Sequence, residues 1–94
     1  MLPNPAELWP DAVQIRDAVM APRVWPGWWV RVDRGAVAQP GDLVLVRIAG
    51  DVTVRELDEW GGRRWVHPHC APVGMLVGPG VEILGVVRSV VDAP

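Results

Sequence analysis

Short apolar runs divided by proline and glycine set the rhythm of this chain. The candidate strands are Ala12–Arg16, Trp28–Val32, Leu43–Ile48, Val52–Leu57, Arg64–His67 and Val81–Val91, and Pro-Gly, Gly-Asp and Gly-Gly turn signals separate them. Leu43-Val44-Leu45-Val46 is apolar at every position, which predicts a strand covered on both faces. Val52-Thr53-Val54-Arg55-Glu56-Leu57 mixes residue types: Val52 and Val54 share one face, while Thr53, Arg55 and Leu57 share the other. Where these two runs meet, Ile48-Ala49-Gly50-Asp51-Val52 reads as a hairpin loop. A short helix around Pro5–Trp9 is the only helical candidate, with proline at an early position. The pattern therefore predicts a mainly β domain.

Ninety-four residues suit one domain with a thin core, which gains from efficient packing or a partner. There is no Phe or Tyr, so the aromatic surface rests on Trp9, Trp25, Trp28, Trp29, Trp60 and Trp65, several of which are expected in the core. The net charge is -2 and all nine cationic residues are scattered arginines, a balance that argues against direct nucleic-acid binding. Cys70 is the single cysteine, which excludes an intrachain disulfide. The N-terminus lacks the basic and apolar regions of a signal peptide, and no run is long enough for a membrane span. A soluble, cytoplasmic protein is expected.

Six segments in order resemble the LexA-like, or phage-repressor C-terminal, self-cleaving peptidases, which share a β-rich, barrel-like fold with signal peptidases. Asp17-Ala18-Val19-Met20-Ala21-Pro22 is similar to the family's Gly-Asp-Ser-Met-x-Pro motif. Pro26-Gly27 followed by Trp28–Val32, and Pro40-Gly41-Asp42 followed by Leu43–Ile48, resemble the two turn-and-strand units that follow it. Val52–Leu57 resembles the Val-x-Val-Lys-Arg-Leu strand, Val66–Cys70 the Leu-x-Pro-x-Asn element, and Val81–Val87 the closing strand. The resemblance implies one domain over residues 1–94, with 1–10 as an N-terminal extension.

It also implies that Val19 stands at the nucleophilic serine and Arg55 at the general-base lysine. The family chemistry needs a hydroxyl that attacks the carbonyl and a neutral amine that takes its proton. Valine has no nucleophilic atom, and a guanidinium stays protonated with no lone pair to offer. No lysine occurs anywhere in the chain. The expectation is a pseudo-peptidase without cofactor, in which Arg55 pairs with Asp17 and approaches Val19. Ser89 and Thr53 are the only aliphatic hydroxyls, and neither has an identifiable base in the sequence.

Two other clusters invite chemistry. His67-Pro68-His69-Cys70 holds zinc-type ligands, but proline stiffens the run, alternation turns Cys70 away from the histidines and no fourth ligand is evident; a polar loop is the expected reading and metal binding is not. Trp25, Trp28 and Trp29 form the candidate binding group, with strand alternation expected to bury one of Trp28 and Trp29 and expose the other. A self-association or protein-interaction module follows, in phage or mobile-element regulation as the resemblance implies. No helix-turn-helix fits before Asp11, which points to a fragment or a stand-alone relic. A symmetric homodimer through Ile83–Val91 is expected, because this run is too long and too apolar on both faces to be left as a bare edge strand; the alternative is a central strand already buried in the sheet. The alternatives are an SH3-like peptide-binding module built on the tryptophans and an enzyme with a site at His67–Cys70.

Overall fold

The computed structural model describes residues 4–69 and 74–91. Asn4 caps a one-turn helix, α1 (Pro5–Leu8), by accepting from the Ala6 amide, with Pro5 in the first turn where its missing N–H costs nothing. Seven strands follow: β1 (Ala12–Gln14), β2 (Trp29–Asp33), β3 (Leu43–Ile48), β4 (Asp51–Trp60), β5 (Arg63–His67), β6 (Met75–Leu76) and β7 (Val81–Val91). They build one sheet in the order β1-β2-β7-β3-β4-β5-β6, and every pairing is antiparallel. The fold is mainly β, as the alternation of runs and turns predicts. No helix among the described residues is long and apolar enough to cross a membrane.

Turn chemistry sets the register. Trp25-Pro26-Gly27-Trp28, Gln39-Pro40-Gly41-Asp42 and Gly78-Pro79-Gly80-Val81 each reverse the chain and close with an amide-to-carbonyl bond of 3.0 to 3.1 Å between their end residues. The β3–β4 hairpin turns on Ala49 (φ 51°) and Gly50 (φ 87°), the left-handed pair whose twist matches that of the flanking strands. Ile48 faces Asp51 across it, and the register runs unbroken to Leu43 and Glu56.

The apolar run in β3 is buried on both faces, as its composition requires. Leu45 joins Ile15, Met20, Val24, Val30, Val32 and Val54 in one core. Val44 and Val46, pointing the other way, join Ala38, Leu57, Val66, Val81 and Val86 in a second. Each such aliphatic side chain, fully buried, contributes roughly 1.5–3 kcal/mol. The tryptophans do not form the core: Trp25 and Trp60 are exposed and the other four are only half-buried. Branched aliphatic side chains fill the narrow space between strands, and the indoles lie over its margins. Trp28 packs against the first cluster.

A second correction concerns β7. It is not a bare edge strand: Val86–Val91 pairs with β2 and Val81–Val86 pairs with β3, on opposite sides. Its length serves two neighbours in succession. Two register shifts accompany this change of partner, one opposite Arg31/Val32 and one opposite Leu45/Val46. Between them Gly85 lies so close to β2 that a Cβ there would sit 2.5 Å from Val32 Cγ1 and 2.9 Å from the Asp33 carbonyl oxygen.

Candidate functional site

The segment after β1 and the first half of β4 meet at one groove. Ile15 is locked to the Trp25–Trp28 turn: its amide donates to the Trp28 carbonyl (2.8 Å) and its carbonyl accepts from Gly27 (2.7 Å). Met20 is fully buried, and its carbonyl accepts from Arg23 and Val24. Anchored at both ends, Asp17-Ala18-Val19 is held at the surface as a short bridge. Val19 itself is 37% exposed.

Asp17 organises this bridge. Its Oδ1 accepts from the Val19 amide at 3.2 Å, and its Oδ2 accepts the Thr53 hydroxyl at 2.5 Å. Thr53 Oγ1 in turn accepts from Arg55 Nη1 at 2.8 Å. The same guanidinium nitrogen donates to the Val54 carbonyl at 2.8 Å and stands 3.7 Å from Asp17 Oδ2. Thr53 is buried, and the Arg55 side chain is only 15% exposed. A hydroxyl thus sits between a carboxylate and a guanidinium and satisfies both, which offsets the cost of removing Arg55 from water. The groove beside this triad encloses about 570 Å³ and is bordered by Arg16, Asp51, Val52 and Met75.

The structure brings Arg55 and Asp17 together, and Asp17 links Arg55 to the backbone of Val19. Sequence reasoning missed Thr53 as the bridge. The available signal was a lone hydroxyl in an apolar strand, two residues from Arg55 and on its face.

Neighbouring polar residues form a separate network. Glu56 makes an ion pair with Arg23, and its Oε2 lies 3.3 Å from His67 Nε2, directly across the β4–β5 ladder. The other ring nitrogen of His67 lies 2.9 Å from the Pro68 carbonyl. Among the described residues no group of three or more His, Cys, Asp or Glu side chains is placed to hold a metal; Cys70, the end of the His67–Cys70 run, lies outside the described residues.

The tryptophan group is not gathered into one site. Trp25 is 47% exposed, whereas Trp28 and Trp29 are both half-buried, so the expected division between a buried and an exposed partner does not occur. Trp28 lies in the turn just before β2, where strand alternation does not yet act. A different aromatic pair stands at the β4–β5 hairpin: Trp60, 74% exposed, lies 6.5 Å from Trp65 between ring centroids, and the Trp65 indole N–H donates to the Trp60 carbonyl.

Comparison with known proteins identifies relatives of this chain. A LexA repressor of Streptomyces clavuligerus is 33% identical over 76 residues, covering 81% of this chain and 32% of its own length. LexA repressors of Mycobacterium tuberculosis and Streptomyces coelicolor are each 32% identical, over 77 and 76 residues. The chain therefore spans about a third of the length of these relatives. The family model described as Peptidase S24-like matches residues 11–88, which takes in all seven strands except the end of β7, and the chain belongs to that family.

Proposed function

We propose that this chain is a catalytically inactive S24-like domain that serves as a self-association or protein-interaction module, in a cytoplasmic regulatory setting such as that of a phage or mobile element. The observation that carries the reading is the engagement of Arg55 by Thr53 and Asp17 beside Val19. At the two positions that the family resemblance assigns to chemistry, one side chain has no nucleophilic atom. The other is a permanent cation whose Nη1 already donates to Thr53 Oγ1 and the Val54 carbonyl. Thr53 is the only hydroxyl in the groove, and it is a poor nucleophile because it is buried and one lone pair already accepts from Arg55.

Support for association comes from β7. Val87–Val91 pairs with β2 on one side, and among the described residues no strand pairs with its other side. Val90 is 37% exposed there. A twofold mate could continue the sheet across this half-edge. Five of the nine arginines are already paired with carboxylates, which favours a protein partner over nucleic acid.

Incubation of purified protein at alkaline pH tests the inactivity: the chain is expected to stay intact, and specific fragments that persist after rigorous removal of contaminating protease would overturn it. Sedimentation across a range of concentrations tests the association, and a species that remains monomeric throughout would remove it.

A further inference from the structure

A second polar pocket lies away from the groove beside Asp17. Val30 and Val32 of β2 are buried in the first core, so alternation turns Arg31 and Asp33 to the other face of the strand. β7 pairs with β2 here with one residue to spare: Arg31 faces Ser89 and Val32 faces Val87, which leaves Arg88 without a partner in the ladder. A bulge of this kind re-aims a side chain, and Arg88 Nη2 reaches to 3.5 Å from Asp33 Oδ2. Arg31 Nε donates to Asp11 Oδ1 at 3.3 Å, and its guanidinium lies over the Trp9 ring, 4.9 Å from the centroid. Arg34 follows β2 directly and is exposed. These three arginines, the two aspartates and Ser89 line a pocket of about 580 Å³.

The anions of this pocket do not use up its cations. Three arginines stand against two aspartates, an excess of one positive charge in a chain whose net charge is -2. Arg31 engages Asp11 through Nε alone, which leaves both Nη groups to donate. Arg88 meets Asp33 only at 3.5 Å, and that carboxylate also accepts from the Gly35 amide. Among the described residues Arg34 makes no ion pair and the Ser89 hydroxyl no hydrogen bond. Guanidinium forks suit carboxylates, which they hold through paired charge-assisted hydrogen bonds. We infer that this pocket receives an aspartate or glutamate side chain of a protein partner, held between Arg31, Arg34 and Arg88. One carboxylate balances the excess charge, whereas a phosphate dianion overshoots it and faces Asp11 and Asp33. The pocket is far larger than a carboxylate group, so it also takes part of the chain that carries one. The inference rests on the reading of this domain as an interaction module and supplies the chemistry of what it recognises.

A blocked alanine pentapeptide with a central glutamate is the probe, and its glutamine counterpart is the control. In an NMR titration of the protein amides at low salt, the glutamate peptide is expected to shift Arg31, Arg34, Arg88 and Ser89. It should bind about tenfold more tightly than the glutamine peptide, the effect of one charge-assisted hydrogen bond, and added salt should weaken it. Arg34→Gln breaks no ion pair among the described residues, and it is expected to weaken the glutamate peptide about tenfold while the circular dichroism spectrum stays unchanged. Arg88→Gln, at a side chain 60% exposed, should do the same. Equal binding of the two peptides, unchanged affinity in either variant, or tighter binding of inorganic phosphate would each overturn the proposal. A protein that self-associates in sedimentation but ignores the glutamate peptide loses this site and keeps the association reading.

Discussion

Thr53 gives its hydroxyl hydrogen to Asp17 across 2.5 Å, and this single bond ties the surface bridge after β1 to the middle of the sheet. The hydroxyl is buried with Thr53, whereas Asp17 keeps 39% of its side chain exposed. The two ends of the bond therefore respond differently to its loss.

Thr53→Val conserves shape and leaves Asp17 free to turn to water, so urea denaturation is expected to show a loss of about 1 kcal/mol. Asp17→Ala should cost more, about 2–3 kcal/mol, because it strips partners from the Thr53 hydroxyl, the Val19 amide and the Arg55 guanidinium together. In a double-mutant cycle the two losses should fall short of additive by at least about 0.5 kcal/mol. Additive losses would mean that the bond carries no coupling.

The aliphatic core makes an opposite forecast for residue size. Met20 is fully buried and Trp25 is 47% exposed, so Met20→Ala is expected to destabilise by about 2–5 kcal/mol. Trp25→Ala removes far more surface and should still cost under about 1 kcal/mol. Equal losses in thermal denaturation would return Trp25 to the core and remove it as a contact residue.

Much of this architecture was legible in the residue pattern, because strand ends in this chain are chemical events. Pro-Gly turns stop β-runs at Trp25–Trp28 and Gln39–Asp42, and the all-apolar Leu43–Val46 announces burial on two faces. The pairing of Arg55 with Asp17 followed from the need of a partly buried cation for a carboxylate. Other features depend on distant neighbours. Met75–Leu76 is too short a strand to show any periodicity, and it exists because Trp65 and Val66 pair with it. The sequence of β7 declares an apolar strand but not which strands flank it, so a central position and an edge position look alike. Tryptophan size does not translate into burial here, because the narrow space between strands accepts valine more readily than indole.

Gly85 is where that long-range information is concentrated. A glycine inside an apolar strand signals a bulge or a close backbone approach, and here it marks the crossing of β7 from β3 to β2. A methyl group at this position would meet Val32 Cγ1 at 2.5 Å, which a side-chain rotation could relieve. It would also meet the Asp33 carbonyl oxygen at 2.9 Å and Arg34 Cα at 3.1 Å, and backbone cannot rotate away. Gly85→Ala should therefore cost about 1–3 kcal/mol through overpacking. Gly78 offers the control: nothing lies within 4 Å of its added Cβ, so Gly78→Ala should be neutral or should stabilise by up to about 1 kcal/mol, through a less flexible unfolded chain. Chemical denaturation of both variants decides the matter. If the two behave alike, the close packing of β2 on β7 at Gly85 is not what holds the two halves of the sheet together.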